Sequence, residues 1–281
     1  PLDDPLIVHI ADIKDLFRLS EKINDIVLKL VNKFWPGPLT LVLKKSKNIP
    51  LIVTAGLETI AIRMPKHPIA LSLIKESNTP IAAPSANLFG RPSPTIAEHV
   101  LEDLSGRIDL IIDGGKTDLG VESTILDLTQ TPFRILRPGG VTFEDLKKAL
   151  PNVEFYKGNK IISPGMFKRH YSPRAKVILV KESYRTQEIV KKIAYRFINK
   201  GYKVGIITKE ENKNKYNGNF NVKILGPKEN LKICAANLFN ILREFDKDKT
   251  DIIIAEGIRE KGIGIAIMDR LRKASGFREY K

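Results

Sequence analysis

Apolar residues recur along this chain in two rhythms. In the first half short apolar runs dominate: PLIVHI at residues 5–10, TLVL ending at Leu43, TIAIR at 59–63 and IAA at 81–83. Runs this short, bounded by proline, glycine and polar residues, read as strands. Alternation over residues 59–63 lets Arg63 point away from the core. Further strands are read over residues 110–113, 125–128 and 133–136. Between them, residues 22–33 place Ile23, Ile26, Val27, Leu30 and Val31 on one helical face. That helix stops at Phe34-Trp35-Pro36-Gly37-Pro38, where two prolines forbid continuation and Trp35 anchors the turn. A short helix over 68–76 starts at Pro68, and another spans 95–104. Thr142 caps a helix ending near Leu150, with Glu144 and Asp145 in its first turn. This half predicts a twisted, mixed α/β sheet around a concave site.

The rhythm changes near residue 151. Residues 151–175 are polar and carry Gly and Pro, yet contain Ser163-Pro164-Gly165-Met166-Phe167-Lys168-Arg169-His170-Tyr171-Ser172-Pro173. So specific a run is more than a passive spacer. Beyond it strands (177–180, 204–208, 222–225, 251–255) alternate with helices (187–199, 230–245, 266–274). This predicts a small parallel, doubly wound domain. Gly262 and Gly264, ahead of the last helix, match no dinucleotide fingerprint and read as tight packing. The expected organisation is a catalytic domain over 1–150, a linker over 151–175 and a second domain over 176–281.

A length of 281 residues with 42% hydrophobic content suits one large or two ordinary domains. Charges interrupt every apolar run, so no membrane span is predicted. The opening Pro1-Leu2-Asp3-Asp4-Pro5 carries no secretory signal. One cysteine, Cys234, excludes an internal disulfide and a Cys-based zinc site, which together with the missing signal points to the cytoplasm. It lies among Leu231, Leu238 and Ile241 at helical spacing and reads as core rather than nucleophile. A formal net charge of +15 fits a phosphate-rich partner, nucleotide or RNA, or else a lysine-rich solvated surface.

Residues 80–94, PIAAPSANLFGRPSP, are the densest candidate for chemistry. A strand over Ile81-Ala82-Ala83 meets Pro84, which blocks helical continuation, and Ser85-Ala86-Asn87 follow. A strand ending in a rigid polar loop is a common ligand site in α/β proteins; a tight connection is the alternative. No Gly-x-Ser-x-Gly elbow or Walker-type loop occurs, and His9, His67, His99 and His170 form no metal-binding pair. Polar residues at strand ends remain: His9, Thr59, Arg63, Ser85, Asn87, Ser93, Ser123 and Arg137. Arg suits bidentate carboxylate or phosphate binding, and Ser and Thr suit phosphate oxygens. With no obvious general base, the set suits positioning and charge neutralisation, as in nucleotidyl transfer.

These residues also carry a resemblance. Leu6-Ile7-Val8-His9, Phe34-Trp35-Pro36-Gly37-Pro38-Leu39-Thr40, Arg63-Met64-Pro65, Ala83-Pro84-Ser85-Ala86-Asn87, Glu122-Ser123-Thr124 and Leu136-Arg137-Pro138-Gly139 resemble the YrdC-like domain of threonylcarbamoyl-AMP synthases. Ser163-Pro164-Gly165-Met166 and His170-Tyr171-Ser172-Pro173 resemble the linker of the two-domain members, and the remainder resembles their C-terminal Rossmann-like domain. The resemblance implies that L-threonine and bicarbonate give N-carboxy-threonine, whose carboxylate attacks the α-phosphorus of ATP. Threonylcarbamoyl-AMP forms, pyrophosphate leaves, and the product feeds tRNA threonylcarbamoylation. It further implies that His9, Arg63, Ala83 and Ser123 contact threonine, with Arg63 on its carboxylate and the Ala83 backbone in a hydrogen bond. Asp4, Thr59, Ser85, Asn87, Ser93 and Arg137 would hold the nucleotide, with His170 and Tyr171 closing over the site. Mg²⁺ is implied on the ATP phosphates.

Members of the family carry a further N-terminal strand and a Lys-x-Arg segment before the point where this chain begins, and Asn where Asp4 stands. The chain as given is therefore expected to be weakly active or inactive, with an exposed sheet edge. Two other readings stay open. A carbamoyl-transfer enzyme of hydrogenase maturation shares the YrdC-like fold, but its zinc-finger segments conflict with one cysteine. An RNA-binding module fits the charge but leaves the linker motif without a purpose.

Overall fold

The Pro, Gly and polar punctuation along the chain cuts it into short elements. In the computed structural model, residues 3–158, 160, 162–167 and 170–280 are described. They form two compact units. The first takes the chain up to Pro84 and again over Glu122–Phe167; the second takes Ser85–Val121 and the chain beyond Phe167.

The first unit runs β1 (Ile7–His9), α1 (Lys14–Leu19), α2 (Asp25–Phe34), β2 (Leu39–Lys44), α3 (Leu51–Thr54), β3 (Thr59–Arg63), α4 (Pro68–Glu76) and β4 (Ile81–Ala83). The chain then enters the second unit, where α5 (Ala97–Leu104) lies, and returns for β5 (Thr124–Asp127), β6 (Phe133–Arg137), α6 (Phe143–Ala149) and β7 (Val153–Phe155). The strands form one mixed sheet in the order β4-β1-β3-β2-β5-β6-β7. Periodicity alone starts α2 at residue 22; it starts three residues later, because the Asn24 side chain accepts the Val27 N–H and fixes the cap there. Thr142 caps α6 as read, accepting the Asp145 N–H at 3.2 Å.

Residues 110–113 correct the sequence reading. They form no strand, and Leu110 is 75% and Ile112 53% exposed. An apolar run supplies strand propensity, but a ladder also needs an edge to join.

Beyond Phe167 the second unit contains β8 (Lys176–Val180), α7 (Thr186–Ile198), β9 (Val204–Lys209), a 3₁₀ turn (Glu210–Lys215), β10 (Asn221–Gly226), α8 (Leu231–Lys247), β11 (Ile252–Glu256), α9 (Gly264–Ala274) and β12 (Glu279–Tyr280). Its sheet, ordered β10-β9-β11-β8-β12, is all parallel. α8 and α9 share one core cluster and α7 belongs to another, so the sheet is covered on both faces, as a doubly wound domain requires. Cys234 is fully buried in α8, and burial pushes its thiol up to about 11. Gly264 packs against the Arg259 carbonyl, too close to admit a Cβ. Residues 85–121 join this unit partly through Leu119 and Val121, which pack on the α8–α9 core. Between them Gly120, at φ +64°, runs against the α8 backbone at Ala235 and Ala236. Among the described residues no helix is long and apolar enough to cross a membrane.

Candidate active site

The period of two along the strands of the first sheet gives it two unlike faces. Val8, Leu39, Leu41, Leu43, Ile60, Ile62, Leu126 and Ile135 share a core with α2 and α6. The alternate positions Ile7, Val42, Ala61 and Ile125, with Leu136, form a smaller cluster under Tyr156, Ile162 and Met166. His9, Thr40 and Arg63 continue this second face at its polar end. The β1–β3 register sets His9 beside Arg63, and Leu41 opposite Ile62 brings Thr40 to the same level.

Hydrogen bonds lock the polar end. Arg63 Nε donates to the Gly37 carbonyl at 3.0 Å, while Gly37 N–H donates to Met64 O at 2.9 Å. The tight turn before β2 therefore aims Arg63. The Thr40 and Ser123 hydroxyls lie 2.8 Å apart. Arg137 donates from Nε and Nη2 to the Ser123 carbonyl (3.2 and 3.0 Å), from Nη2 to Ser123 Oγ (3.2 Å) and from Nη1 to Pro164 O (3.4 Å). Gly139 lies against the backbone of Glu122, Ser123 and Thr124, where a Cβ would clash, so glycine there is what lets the Ser123 and Arg137 segments meet.

The electrostatics point to an anion. Burial first, then the Arg137 charge, lowers the Arg63 guanidinium to about 10. Two guanidiniums thus share a desolvated region, and their only described hydrogen-bond partners are neutral oxygens. Burial raises the Asp4 carboxyl, although Arg137 pulls it down. Burial, then Arg63, lowers the His9 imidazole from 6.5 to about 4, so it is neutral at pH 7. Asp4 Oδ1, His9 Nδ1 and Ser163 Oγ are buried without a hydrogen-bond partner among the described residues. Such groups are costly unless something completes them.

The neutral His9 makes stability depend on pH. Its folded value lies below the unfolded one near 6.5, so the unfolded chain binds more protons as pH falls from 6.5 toward 4. Stability present above pH 6.5 should therefore fall across that window, by at most about 3 kcal/mol from this residue. Urea midpoints at pH 7.5 and 4.5 should separate less in His9→Gln than in the parent; equal separations would contradict the assignment.

The structure brings His9, Arg63, Ser123 and Arg137 together, with Asp4 electrostatically linked to Arg137. Ala83 pairs with Ile7 on the edge strand β4. Thr59 opens β3, four residues before Arg63 and at the other end of the strand. Ser85, Asn87, Ser93, His170 and Tyr171 belong to the second unit. There Ser85 is exposed, Ser93 is buried, and Asn87 Nδ2 donates to Leu88 O at 2.8 Å. His170 and Tyr171 stack edge to face, and Tyr171 packs on Phe239. Lys168 and Arg169 of the linker motif lie outside the described residues. Residue-by-residue reading passed over Thr40 and Ser163. Their positions, on the alternate face from Leu39 and Leu41 and inside the Ser-Pro-Gly-Met run, were the available signals.

A mixed sheet that gathers two arginines, two hydroxyls and a neutral histidine, with a doubly wound domain further along the chain, suits an α/β enzyme that handles anions by positioning and charge neutralisation. Comparison with known proteins agrees. A family model described as telomere recombination matches residues 1–139, and one described as threonylcarbamoyl-AMP synthase, C-terminal domain, matches residues 141–276. A threonylcarbamoyl-AMP synthase of Pyrococcus abyssi is 45% identical over 288 aligned positions, covering all of this chain and 83% of the relative. One of Bacillus subtilis is 47% identical, covering 99% of this chain and 81% of the relative. The crystal structure of Pyrococcus abyssi Sua5 complexed with L-threonine superposes with a TM-score of 0.93 over 100% of this chain and 83% of that one. The chain belongs to the threonylcarbamoyl-AMP synthase family, and its activity is the nucleotidyl transfer that the family name denotes.

Proposed function

We propose that the polar end of the first sheet is where this chain holds L-threonine and ATP as threonylcarbamoyl-AMP forms. The observation that carries the assignment is the Arg63–Arg137 pair, two guanidiniums in one desolvated region with no carboxylate hydrogen-bonded to either among the described residues. Arg63 spends Nε on Gly37 O, which leaves its terminal amino groups for the threonine carboxylate. Neutral His9 and Ser123 flank that carboxylate, and the Ala83 backbone takes a further hydrogen bond. Arg137 and Asp4 face the nucleotide. The family resemblance assigns Thr59, at the far end of β3, and Ser85, Asn87, Ser93, His170 and Tyr171, of the second unit, to nucleotide binding.

The amino nitrogen of L-threonine bonds to the bicarbonate carbon as water leaves, which gives N-carboxy-threonine. Its carboxylate oxygen bonds to the α-phosphorus of ATP as the bond to the β-phosphate bridging oxygen breaks, and pyrophosphate leaves. This chain's residues orient the two anions and offset their repulsion. Mg²⁺ would arrive on the ATP phosphates. The described residues gather no cluster of three His, Cys, Asp or Glu side chains, so no protein ligand is assigned to it. The product would pass to a tRNA threonylcarbamoyl-transferase machinery in the cytoplasm, and the positive net charge would suit contact with tRNA.

The test is pyrophosphate release with ATP, bicarbonate and L-threonine, beside calorimetric titration with L-threonine alone. Saturable threonine binding at one site per chain, with threonine-dependent release that is slow in the chain as given, is the expected result. The absence of both release and binding would overturn the assignment.

A further inference from the structure

Residues 85–93 and 170–175 are far apart in sequence, yet one helix grips both. α8 presents Arg243 and Asp246 one turn apart. Arg243 is buried and forks onto the Asp103 carboxylate, Nη2 at 2.7 Å and Nη1 at 3.3 Å, while Nη2 also donates to Pro92 O at 2.6 Å. Asp103 in turn accepts the Leu88 N–H at 3.3 Å. Asp246 divides its two oxygens. Oδ2 takes Arg91 Nη2 at 2.6 Å, and Oδ1 takes the Arg174 N–H at 2.8 Å and the Ala175 N–H at 3.4 Å. The two gripped segments also meet directly: Ser172 N–H donates to Gly90 O at 2.7 Å, and Phe89 meets the His170 ring edge to face.

We infer that Asp246 is a positioning residue that couples the loop carrying Ser85, Asn87 and Ser93 to the linker residues His170 and Tyr171. Its carboxylate is 7% exposed, so both charge-assisted bonds form in a weakly screened setting. A simple packing role would need only one of these partners. Splitting the oxygens between a loop side chain and linker backbone means that neither segment can shift without loading the other. The second domain then has a part in the reaction: α8 fixes the spacing of two segments that contribute to nucleotide binding. The inference rests on the nucleotide-binding reading given above for its kinetic consequence, and on geometry alone for the coupling.

Asp246→Asn is the test, made in the full chain. Asparagine keeps the shape and can still accept the Arg174 N–H, but it loses the ion pair with Arg91. Amide hydrogen exchange followed by peptide mass spectrometry should accelerate about tenfold in both 85–93 and 170–175, the size expected for one lost charge-assisted bond. Exchange in α7 and β11 should stay unchanged. The KM for ATP should rise about tenfold by the same measure while the KM for L-threonine moves less than twofold. Arg91→Gln should accelerate the same two segments. If either variant loosens only the loop, or loosens the whole second unit evenly, the coupling is refuted. A parent chain with no threonine-dependent pyrophosphate release would count against the synthase site alone, because the exchange result is read without substrate.

Discussion

Arg63→Gln will lower threonine-dependent pyrophosphate release about 10²- to 10³-fold, and calorimetric binding of L-threonine will vanish. A buried bidentate bond between guanidinium and carboxylate contributes roughly 2–5 kcal/mol when truncated. Glutamine reaches as far as Arg63 Nε and keeps an N–H for Gly37 O, so the turn before β2 survives. The same substitution should leave thermal stability unchanged or slightly higher, because Arg63 sits desolvated beside Arg137 and its protonation is already disfavoured. Binding lost while stability holds is the signature of a residue kept for its ligand. Retained threonine affinity within twofold would remove Arg63 from the substrate site.

The largest structural effect will come from Asp103→Ala. Arg243 has a side chain only 2% exposed and depends on Asp103 for its counter-charge. Removing one partner of such a pair costs about 3–5 kcal/mol, because the charge left behind cannot be rehydrated. For a unit of this size, that lowers the melting temperature by roughly 6–20 °C. Burial pushes the Asp103 carboxyl up, but its bonds and charge contact with Arg243 outweigh this and hold it below its usual value. A depressed folded value means stability that is present above the unfolded carboxylate range and is lost as pH falls through the folded one. The gap between Asp103→Ala and the parent should therefore be full at pH 7 and shrink under acid conditions. The double variant Asp103→Leu with Arg243→Met should recover most of the loss, since it buries no charge. A scanning calorimetry shift under about 2 °C for Asp103→Ala would show that water reaches the pair.

Much of the fold was legible where the sequence punctuates itself. β3, α4 and β4 stand at the bounds read from composition, because Pro65, Pro68, Pro80 and Pro84 leave little choice. The doubly wound tail was legible because its strands are buried on both faces and read as unbroken apolar runs. Elements with no periodicity of their own were missed. α1 and α3 span six and four residues, and β7 and β12 span three and two. Such pieces are defined by the partner they pair with or pack on, which composition does not record. At the site, His9, Arg63, Ser123 and Arg137 stood out as polar residues at strand ends. Thr40 did not, because a hydroxyl inside TLVL looks like any other half-buried strand position. Nor did Arg243 and Asp246, which read as ordinary charges on a helix; only their burial shows that their partners lie outside it.

The joining of residues 85–121 to the second unit also constrains how such a gene can be inherited. The two matched family models meet at residues 139–141, and that junction looks like a natural crossover point. A recombination there would take Arg91 and Asp103 from one parent and Arg243 and Asp246 from the other. The offspring would keep both ion pairs only if both parents carried complementary charges at all four positions.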